Sequence, residues 1–158
     1  MALRRIVAYL PSQDTVVLQI AKSGSSSLVK AAREVGDLTH LGHLRASDHP
    51  PAKRIIAIVR DPEDRLLSAV NYYYRSQDVD EALKHIIKYR LNQSAFKPQS
   101  WYMDKPCEVY QLADIHTALA SIGYDGEVPR ENASQKWLTL ENARKSKYWN
   151  RLIETQTT

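Results

Sequence analysis

The sequence predicts an α/β fold, a three-layer domain in which helices flank a central parallel sheet. Short, β-branched apolar runs occupy 4–10, 15–20, 54–59 and 107–112. From residue 26 onward, stretches with a helical spacing of apolar residues separate these runs. Strands that alternate with helices form parallel sheets, because each helix carries the chain back to the start of the next strand. With 158 residues the chain has the size of one domain, which we place at 1–158.

The first half of the chain supplies three of the strands and two helices. "RRIVAYL" and "TVVLQI" flank the turn-forming "PSQD", so we expect neighbouring strands, and an apolar stripe over 26–35 predicts a helix that ends at Gly36. "RIIAIV" (54–59) contains five consecutive apolar residues, as expected of a central parallel strand covered on both faces. Asp61-Pro62 ends this strand and begins a helix over 63–75, whose three consecutive tyrosines are expected to cover core.

The second half supplies the remaining elements. Asp78 and Glu81 resemble the capping box of a helix over 79–91. After the strand at 107–112, Asp114 begins a helix that runs to Gly123, and a charged surface helix is expected over 140–154.

Composition narrows the class of protein. A hydrophobic content of 43% and a charged content of 25% are those of an ordinary globular protein, and no run approaches the roughly 18 apolar residues of a membrane span. The N-terminal apolar segment is too short for a signal peptide. The single cysteine, Cys107, cannot form an internal disulfide and is expected to be a buried small hydrophobe in a cytoplasmic protein.

The charge favours an anionic ligand. Lysine and arginine number 22 against 18 acidic residues, which gives a net charge of +4. This excess is modest, and no polybasic run or basic stripe is present. We therefore expect a small anionic ligand, with neither nucleic acid nor a membrane as partner.

The segment "AKSGSSS" (21–27) lies between a predicted strand and a predicted helix. Such a segment offers backbone N–H groups and the positive end of the helix dipole to an anion. Gly24 allows close approach of the backbone, the serines add hydroxyl donors and Lys22 adds a charge. The alternative is an ordinary serine N-cap beside a solvated lysine. The lysine precedes the single glycine, so this is not the Walker A pattern of kinases and NTPases.

A second segment, "VRDPEDRLLSAVNYYYR" (59–75), follows the buried strand. Arg60 follows the last residue of the strand, where its guanidinium can donate two parallel hydrogen bonds to one phosphate. Ser68 can flank the same anion if the helix packs back over the strand end, and Arg65 can pair with Asp61 or Glu63. The alternative is an ordinary strand-to-helix turn with local salt bridges.

Together, "AKSGSSSL" and "VRDPEDRLLSAVNYYYR" resemble two motifs of the sulfotransferases that use 3′-phosphoadenosine 5′-phosphosulfate (PAPS), in particular the carbohydrate sulfotransferase branch. The resemblance implies a P-loop-like domain and a short soluble form of bacterial or viral type. It implies that Lys22, Ser23, Gly24, Ser25, Ser26 and Ser27 surround the 5′-phosphosulfate. It also implies that Arg60 and Ser68 bind the 3′-phosphate and that no metal is needed. Ala21 departs from the family's pattern, which has proline there.

Two further stretches are similar to family segments. "HLGHLRAS" resembles the stretch whose second histidine is the catalytic base, which implies that His43 takes the proton of the acceptor hydroxyl, with His40 and His49 as nearby substitutes. "PRENASQKW" resembles the loop that implies Asn132, Ser134 and Lys136 close over the nucleotide. An ordinary surface or core histidine and a polar surface loop are the alternatives.

The resemblance predicts an enzyme in which Lys22 and His43 are catalytic and PAPS donates a sulfuryl group to a small-molecule or carbohydrate hydroxyl. Two other readings stay open. A weak or inactive sulfotransferase-like protein would bind the nucleotide without transfer. A small basic nucleic-acid-binding protein would show salt-dependent affinity for DNA or RNA and would not bind PAPS.

Overall fold

The computed structural model describes residues 8–10, 14–35, 43–49, 51–75, 78–128 and 136–157. The strands are β1 (Ala8–Leu10), β2 (Thr15–Leu18), β3 (Arg54–Val59) and β4 (Glu108–Gln111). The α-helices are α1 (Ser25–Val35), α2 (Pro62–Tyr73), α3 (Val79–Tyr89), α4 (Gln99–Tyr102), α5 (Ile115–Ser121), α6 (Leu140–Arg144) and α7 (Lys147–Gln156). Within these ranges, no helix has both the length and the apolar character needed to cross a membrane.

By its contacts the chain divides into two compact units. The first comprises Met1–Val59 and Ser100–Glu131, and the second comprises Arg60–Gln99 and Asn132–Thr158. Each unit buries apolar residues of its own. The assignment of residues 1–158 to a single domain stays a prediction.

The first unit contains the sheet, whose strand order is β1-β2-β3-β4. β1 runs antiparallel to β2, because the short "PSQD" connection can only turn the chain back on itself. β2, β3 and β4 run parallel, with Leu18 opposite Ala57 and Ile56 opposite Glu108. The predicted α/β class is therefore confirmed as a mixed α/β fold with a three-stranded parallel sheet flanked by helices. β3 occupies the central position expected from its continuous apolar run.

Alternate residues of the strands build a layer on each face of the sheet. Val17, Ile56 and Ile58 pack with residues of α1 and α5 on one face, namely Leu28, Ala31, Ala118 and Leu119. Val16, Leu18 and Ala57 pack with Ala46 and Tyr102 on the other face, where half-buried Cys107 also lies. This alternation follows from the period of two in a β-strand. It explains why β2 and β3 each carry an uninterrupted apolar run, over 16–18 and 55–59.

Most predicted helices have the expected places. α2 begins at Pro62 with Asp61 as its N-cap, and α3 begins after Asp78, whose carboxylate accepts a hydrogen bond from the Glu81 N–H at 3.0 Å. Gly36, the predicted end of α1, lies outside the described residues. The single helix predicted over 140–154 is wrong, because the chain breaks between α6 and α7, where Ser146 caps the second helix.

The second unit packs α2, α3, α6 and α7 around one apolar core. Its fully buried side chains come from all four helices, namely Leu66, Val70, Leu83, Ile86, Ala143, Trp149 and Leu152. Asn71 of α2 joins this core to the chain before α6 through two hydrogen bonds of 3.0 Å with the backbone N–H and carbonyl of Leu138. A buried amide with both of its groups bonded stabilises one arrangement of the chain, because any other arrangement would leave them unpaired.

Arg65 belongs to this core, although the sequence suggested that it pairs with Asp61 or Glu63 at the turn. The side chain is fully buried. Its Nη1 donates to the carbonyl of Lys97 at 2.7 Å and to Oε1 of Gln156 at 3.0 Å, and its Nη2 donates to the carbonyl of Ser94 at 3.3 Å. Arg65 thus connects α2 to α7 and to the segment before α4.

Glu63 binds the C-terminal helices. Its carboxylate accepts hydrogen bonds from Nε and Nη2 of Arg144 at 3.0 and 2.8 Å, and from Nε1 of Trp149 at 2.9 Å. The bonds from Arg144, followed by the bond from Trp149, lower the pKa of Glu63 from 4.5 to about 2. These bonds stabilise the ionised form of the carboxyl in the folded protein.

The lowered pKa of Glu63 gives a pH-dependent contribution to stability. A depressed carboxyl pKa stabilises the fold above the ordinary value of 4.5, and this contribution disappears as the pH falls toward 2. We expect Glu63→Gln to destabilise the protein at pH 7 and to differ less from the parent protein at pH 3. Urea unfolding at both pH values measures this, with exposed Glu141→Gln as the control. If Glu63→Gln lowers the free energy of unfolding equally at both pH values, the prediction is contradicted.

Candidate functional site

The two segments predicted to bind the anion follow neighbouring strands. β2 and β3 are parallel, with Leu18 opposite Ala57, so that their carboxyl ends lie at the same edge of the sheet. The segment 19–24 continues from β2, and Arg60 is the residue after β3. Ligands of open α/β sheets bind at this edge, which makes it the candidate site.

The segment after β2 forms a tight turn with two left-handed residues. The N–H of Ser23 donates to the carbonyl of Ile20 at 3.1 Å, and Lys22 and Gly24 have φ angles of 63° and 80°. Left-handed backbone at the third residue of such a turn is the type II pattern, which normally calls for glycine. A lysine there costs about 1 kcal/mol, and strained backbone of this kind is found disproportionately at functional sites.

The turn leads directly into the N-terminus of α1. The N–H of Leu28 donates to the carbonyl of Gly24 at 3.0 Å, so the first helical hydrogen bond closes at Gly24. The N–H groups of Ser25, Ser26 and Ser27 precede this bond and have no acceptor within the helix. Together with the helix dipole, they form the kind of backbone donor set that binds anions. Ser23, in the same turn, is buried.

Gly24 has a packing role as well as a conformational one. A Cβ atom at this position would lie 2.7 Å from Cδ1 of Leu112 and 3.4 Å from Cδ1 of Ile115. Glycine therefore lets the turn approach the start of α5 closely. The sequence suggested only that Gly24 lets the backbone approach an anion.

We expect Gly24→Ala to destabilise the protein by about 2–3 kcal/mol, because left-handed strain and overpacking against Leu112 add together. Chemical denaturation measures the loss. Gly123→Ala is the matched control, since Gly123 also has a positive φ of 92° but a Cβ there would meet its nearest atom at an ordinary 3.9 Å. Equal losses for the two variants would show that Leu112 does not limit the space at Gly24.

His43 contacts the same strand end. Its Nδ1 lies 2.6 Å from the carbonyl oxygen of Gln19, the first residue after β2. A carbonyl only accepts, so Nδ1 carries the proton and, in a neutral ring, Nε2 carries the lone pair. This bond fixes the tautomer that a general base needs.

Gln19 supplies a further donor that the sequence analysis missed. Its side chain is only 2% exposed, and its Nε2 has no acceptor among the described residues. A buried amide N–H without an acceptor lowers stability by about 1–3 kcal/mol. An acceptor supplied by a bound ligand would explain why the protein keeps this group. In the sequence, Gln19 could have been noticed as a polar residue near the end of the otherwise apolar run "TVVLQI".

Arg60 and Ser68 belong to the second unit. The side-chain amide of Gln99 holds the backbone of Arg60 on both sides: Oε1 accepts from the Arg60 N–H at 2.8 Å, and Nε2 donates to the Arg60 carbonyl at 2.7 Å. Ser68 is half-buried on α2. Gln99 is thus a positioning residue for Arg60, and no motif in the sequence pointed to it.

The remaining predicted residues are only partly described. Asn132, Ser134 and His40 lie outside the described residues, and Lys136 is exposed. His49 is buried, and neither of its ring nitrogens has a partner in the part of the chain that the structure describes. Burial lowers the pKa of His49, although nearby Asp48 opposes the shift. Of the two described candidates for the base, only His43 has its tautomer set by a hydrogen bond.

Comparison of the chain with protein-family models, with curated proteins and with solved structures finds no match.

Proposed function

We propose that the protein is a PAPS-dependent sulfotransferase with a P-loop-like donor site, which transfers a sulfuryl group to a hydroxyl of a small molecule or carbohydrate. The observation that carries the proposal is the backbone between β2 and α1. Left-handed Lys22 and Gly24 lead into a helix N-terminus with three successive serines, and this is the segment whose sequence resembles the 5′-phosphosulfate loop of that family.

In this proposal, Lys22 and the N–H groups of 25–27 bind the 5′-phosphosulfate, with Ser23 and Gly24 in the same turn. As the S–O bond to the nucleotide breaks, negative charge develops on the leaving 3′-phosphoadenosine 5′-phosphate. Fixed donors stabilise such charge more effectively than water does, because they need no reorganisation during the reaction. The buried Nε2 of Gln19, which has no acceptor among the described residues, is a further candidate donor to this group.

The acceptor oxygen forms a new bond to sulfur and loses its proton. Nε2 of His43 takes that proton in our proposal, since Nδ1 is bonded to the Gln19 carbonyl. Arg60 and Ser68 bind the 3′-phosphate, and Asn132 and Ser134 close over the nucleotide. Arg60 suits the phosphate because a guanidinium donates two parallel hydrogen bonds.

The test of the donor site is selective binding of 3′-phosphoadenosine 5′-phosphate over 5′-AMP, which lacks the 3′-phosphate. We expect Arg60→Ala to weaken binding of the bisphosphate about tenfold to a hundredfold, and to leave binding of 5′-AMP nearly unchanged. Isothermal calorimetry with both nucleotides measures the difference, and exposed Arg75→Ala is the control. Equal weakening of both nucleotides would show that Arg60 does not bind the 3′-phosphate.

The test of catalysis is sulfate transfer from PAPS, detected by mass spectrometry with mono- and oligosaccharide hydroxyls as acceptors. We expect His43→Ala to lower transfer about 10²- to 10⁴-fold while binding of 3′-phosphoadenosine 5′-phosphate stays unchanged. Exposed His116→Ala is the matched control. If the parent protein binds the nucleotide and transfers no sulfate, the nucleotide-binding alternative replaces the enzyme.

A further inference from the structure

A basic aromatic pocket lies in the second unit, along the solvent-facing side of α3 and beside the end of α2. Its volume is about 510 Å³. Its lining residues are Tyr73, Tyr74, Glu81, Lys84, His85, Lys88, Tyr89 and Arg90. None of them is among the residues proposed to bind PAPS. The pocket therefore needs its own explanation.

The charge of the pocket favours an anion. Lys84, Lys88 and Arg90 contribute three positive charges, and Glu81 contributes the one negative charge of the lining. Glu81 pairs with Lys84 at 3.4 Å, and both side chains are well exposed, so this ion pair is weak. The lining therefore has a net charge of +2, which would balance the charge of about −2 that a phosphate monoester carries near pH 7.

The pocket also presents aromatic rings to solvent. The sequence suggested that the tyrosines at 72–74 cover core, but Tyr72 and Tyr73 are 51% and 42% exposed, and Tyr89 is 62% exposed. The Lys88 ammonium lies 5.1 Å from the ring centroid of Tyr89, and the Arg90 guanidinium lies 5.8 Å from that of Tyr73. Exposed rings beside cations can bind a flat ring and an anionic group at the same time.

Side-chain contacts connect the residues of the inner wall. The hydroxyl of Tyr74 lies 2.7 Å from Nδ1 of His85, and the Arg90 guanidinium lies 5.7 Å from the Tyr74 ring centroid. Nη1 of Arg90 also donates to Oε1 of Gln93 at 3.0 Å. These contacts hold the guanidinium before a ligand arrives, which reduces the entropy lost on binding.

We propose that this pocket binds one nucleotide unit, an aromatic base that carries a phosphate. The base stacks on Tyr89, and the phosphate pairs with Lys88 and Arg90. The volume lies in the range of small-molecule sites and accommodates a single unit. A free mononucleotide and one residue of a single strand share this chemistry, and the test separates them.

The experiment measures binding of 5′-AMP, inorganic phosphate and a single-stranded oligonucleotide by calorimetry, in the full chain with Lys22→Ala and Arg60→Ala. That background lacks both cations of the proposed donor site, and the pocket variants below distinguish binding in the pocket from any binding left at that site. Failure here is therefore distinct from failure of the sulfotransferase proposal. We expect saturable binding of 5′-AMP, weaker binding at higher salt, and much weaker binding of inorganic phosphate. Binding of the oligonucleotide that is tighter than that of 5′-AMP would identify a strand as the source of the unit.

Matched variants locate the ligand. We expect Lys88→Glu and Tyr89→Ala to weaken 5′-AMP binding about tenfold or more, and Tyr89→Phe to preserve it, because the ring does the stacking. Lys145→Glu makes the same charge change outside the pocket and should have little effect. The proposal is overturned if 5′-AMP does not bind, if inorganic phosphate binds equally well, or if Lys145→Glu weakens binding as much as Lys88→Glu.

Discussion

Replacing Arg65 with alanine is expected to lower the free energy of unfolding by about 4 kcal/mol. The substitution removes a fully buried side chain and the hydrogen bonds that it donates to the carbonyls of Lys97 and Ser94 and to Oε1 of Gln156. These acceptors lie in segments that meet only in the folded chain, so their loss weakens the packing of the whole second unit. The mechanism combines a cavity with the loss of three hydrogen bonds.

Two further variants separate these effects. Arg65→Met fills most of the space and restores no donor, so we expect it to lose about half as much stability as Arg65→Ala. Arg151→Ala removes an exposed arginine of α7 and should change stability by less than about 0.5 kcal/mol. Urea unfolding monitored by tryptophan fluorescence measures all three. An Arg65→Ala loss near that of Arg151→Ala would show that the buried hydrogen bonds contribute little.

Replacing Lys22 with glycine should lower activity strongly and raise stability at the same time. Lys22 has a φ of 63°, a conformation that glycine adopts without strain. Lys22→Gly should therefore stabilise the protein by up to about 1 kcal/mol, whereas Lys22→Ala should not. Both variants lack the ammonium, and we expect both to lose sulfate transfer by at least about 100-fold.

Sulfate transfer from PAPS and thermal unfolding of the same samples test this prediction together. Exposed Lys30→Ala on α1 is the control for loss of a positive charge from the same unit. If Lys22→Gly is more stable and keeps full transfer activity, the Lys22 ammonium is not needed for sulfate transfer. If Lys22→Gly is less stable than Lys22→Ala, the left-handed turn is not the conformation of the folded protein.

The fold class followed from patterns that each act within a few residues. The run over 54–59 became β3 with the predicted bounds, and Asp61-Pro62 began α2 as expected. Apolar runs and caps are local signals, because a strand covered on both faces or a helix end needs particular residues wherever it occurs. The break between α6 and α7 was not predicted. Ser146 caps α7 there by accepting from the Tyr148 N–H, and its hydroxyl also donates to the carboxylate of Asp80 on α3 at 2.5 Å.

The candidate site could be predicted only in part. The motif indicated Lys22 and Gly24, but not that both are left-handed, nor that Leu112 limits the space at Gly24. It indicated His43, while the bond that fixes the tautomer of His43 comes from the Gln19 carbonyl, 24 residues away. Arg65 matched the same motif as Arg60 and proved to be part of the core. A sequence motif shows which residues occur together, but it does not show which of their side chains are buried in the core.

By itself, the sequence determined the class of fold, the central strand, the order of the main elements and the two strand-to-helix segments that we propose bind an anion. All of these depend on neighbours along the chain. Only the tertiary structure decided that Arg65 is buried, that Gln99 holds the backbone of Arg60, and that the exposed face of α3 forms a basic aromatic pocket. The contacts of Arg65 and of Gln99 join residues far apart in the sequence, so their energies depend on packing that no local pattern contains.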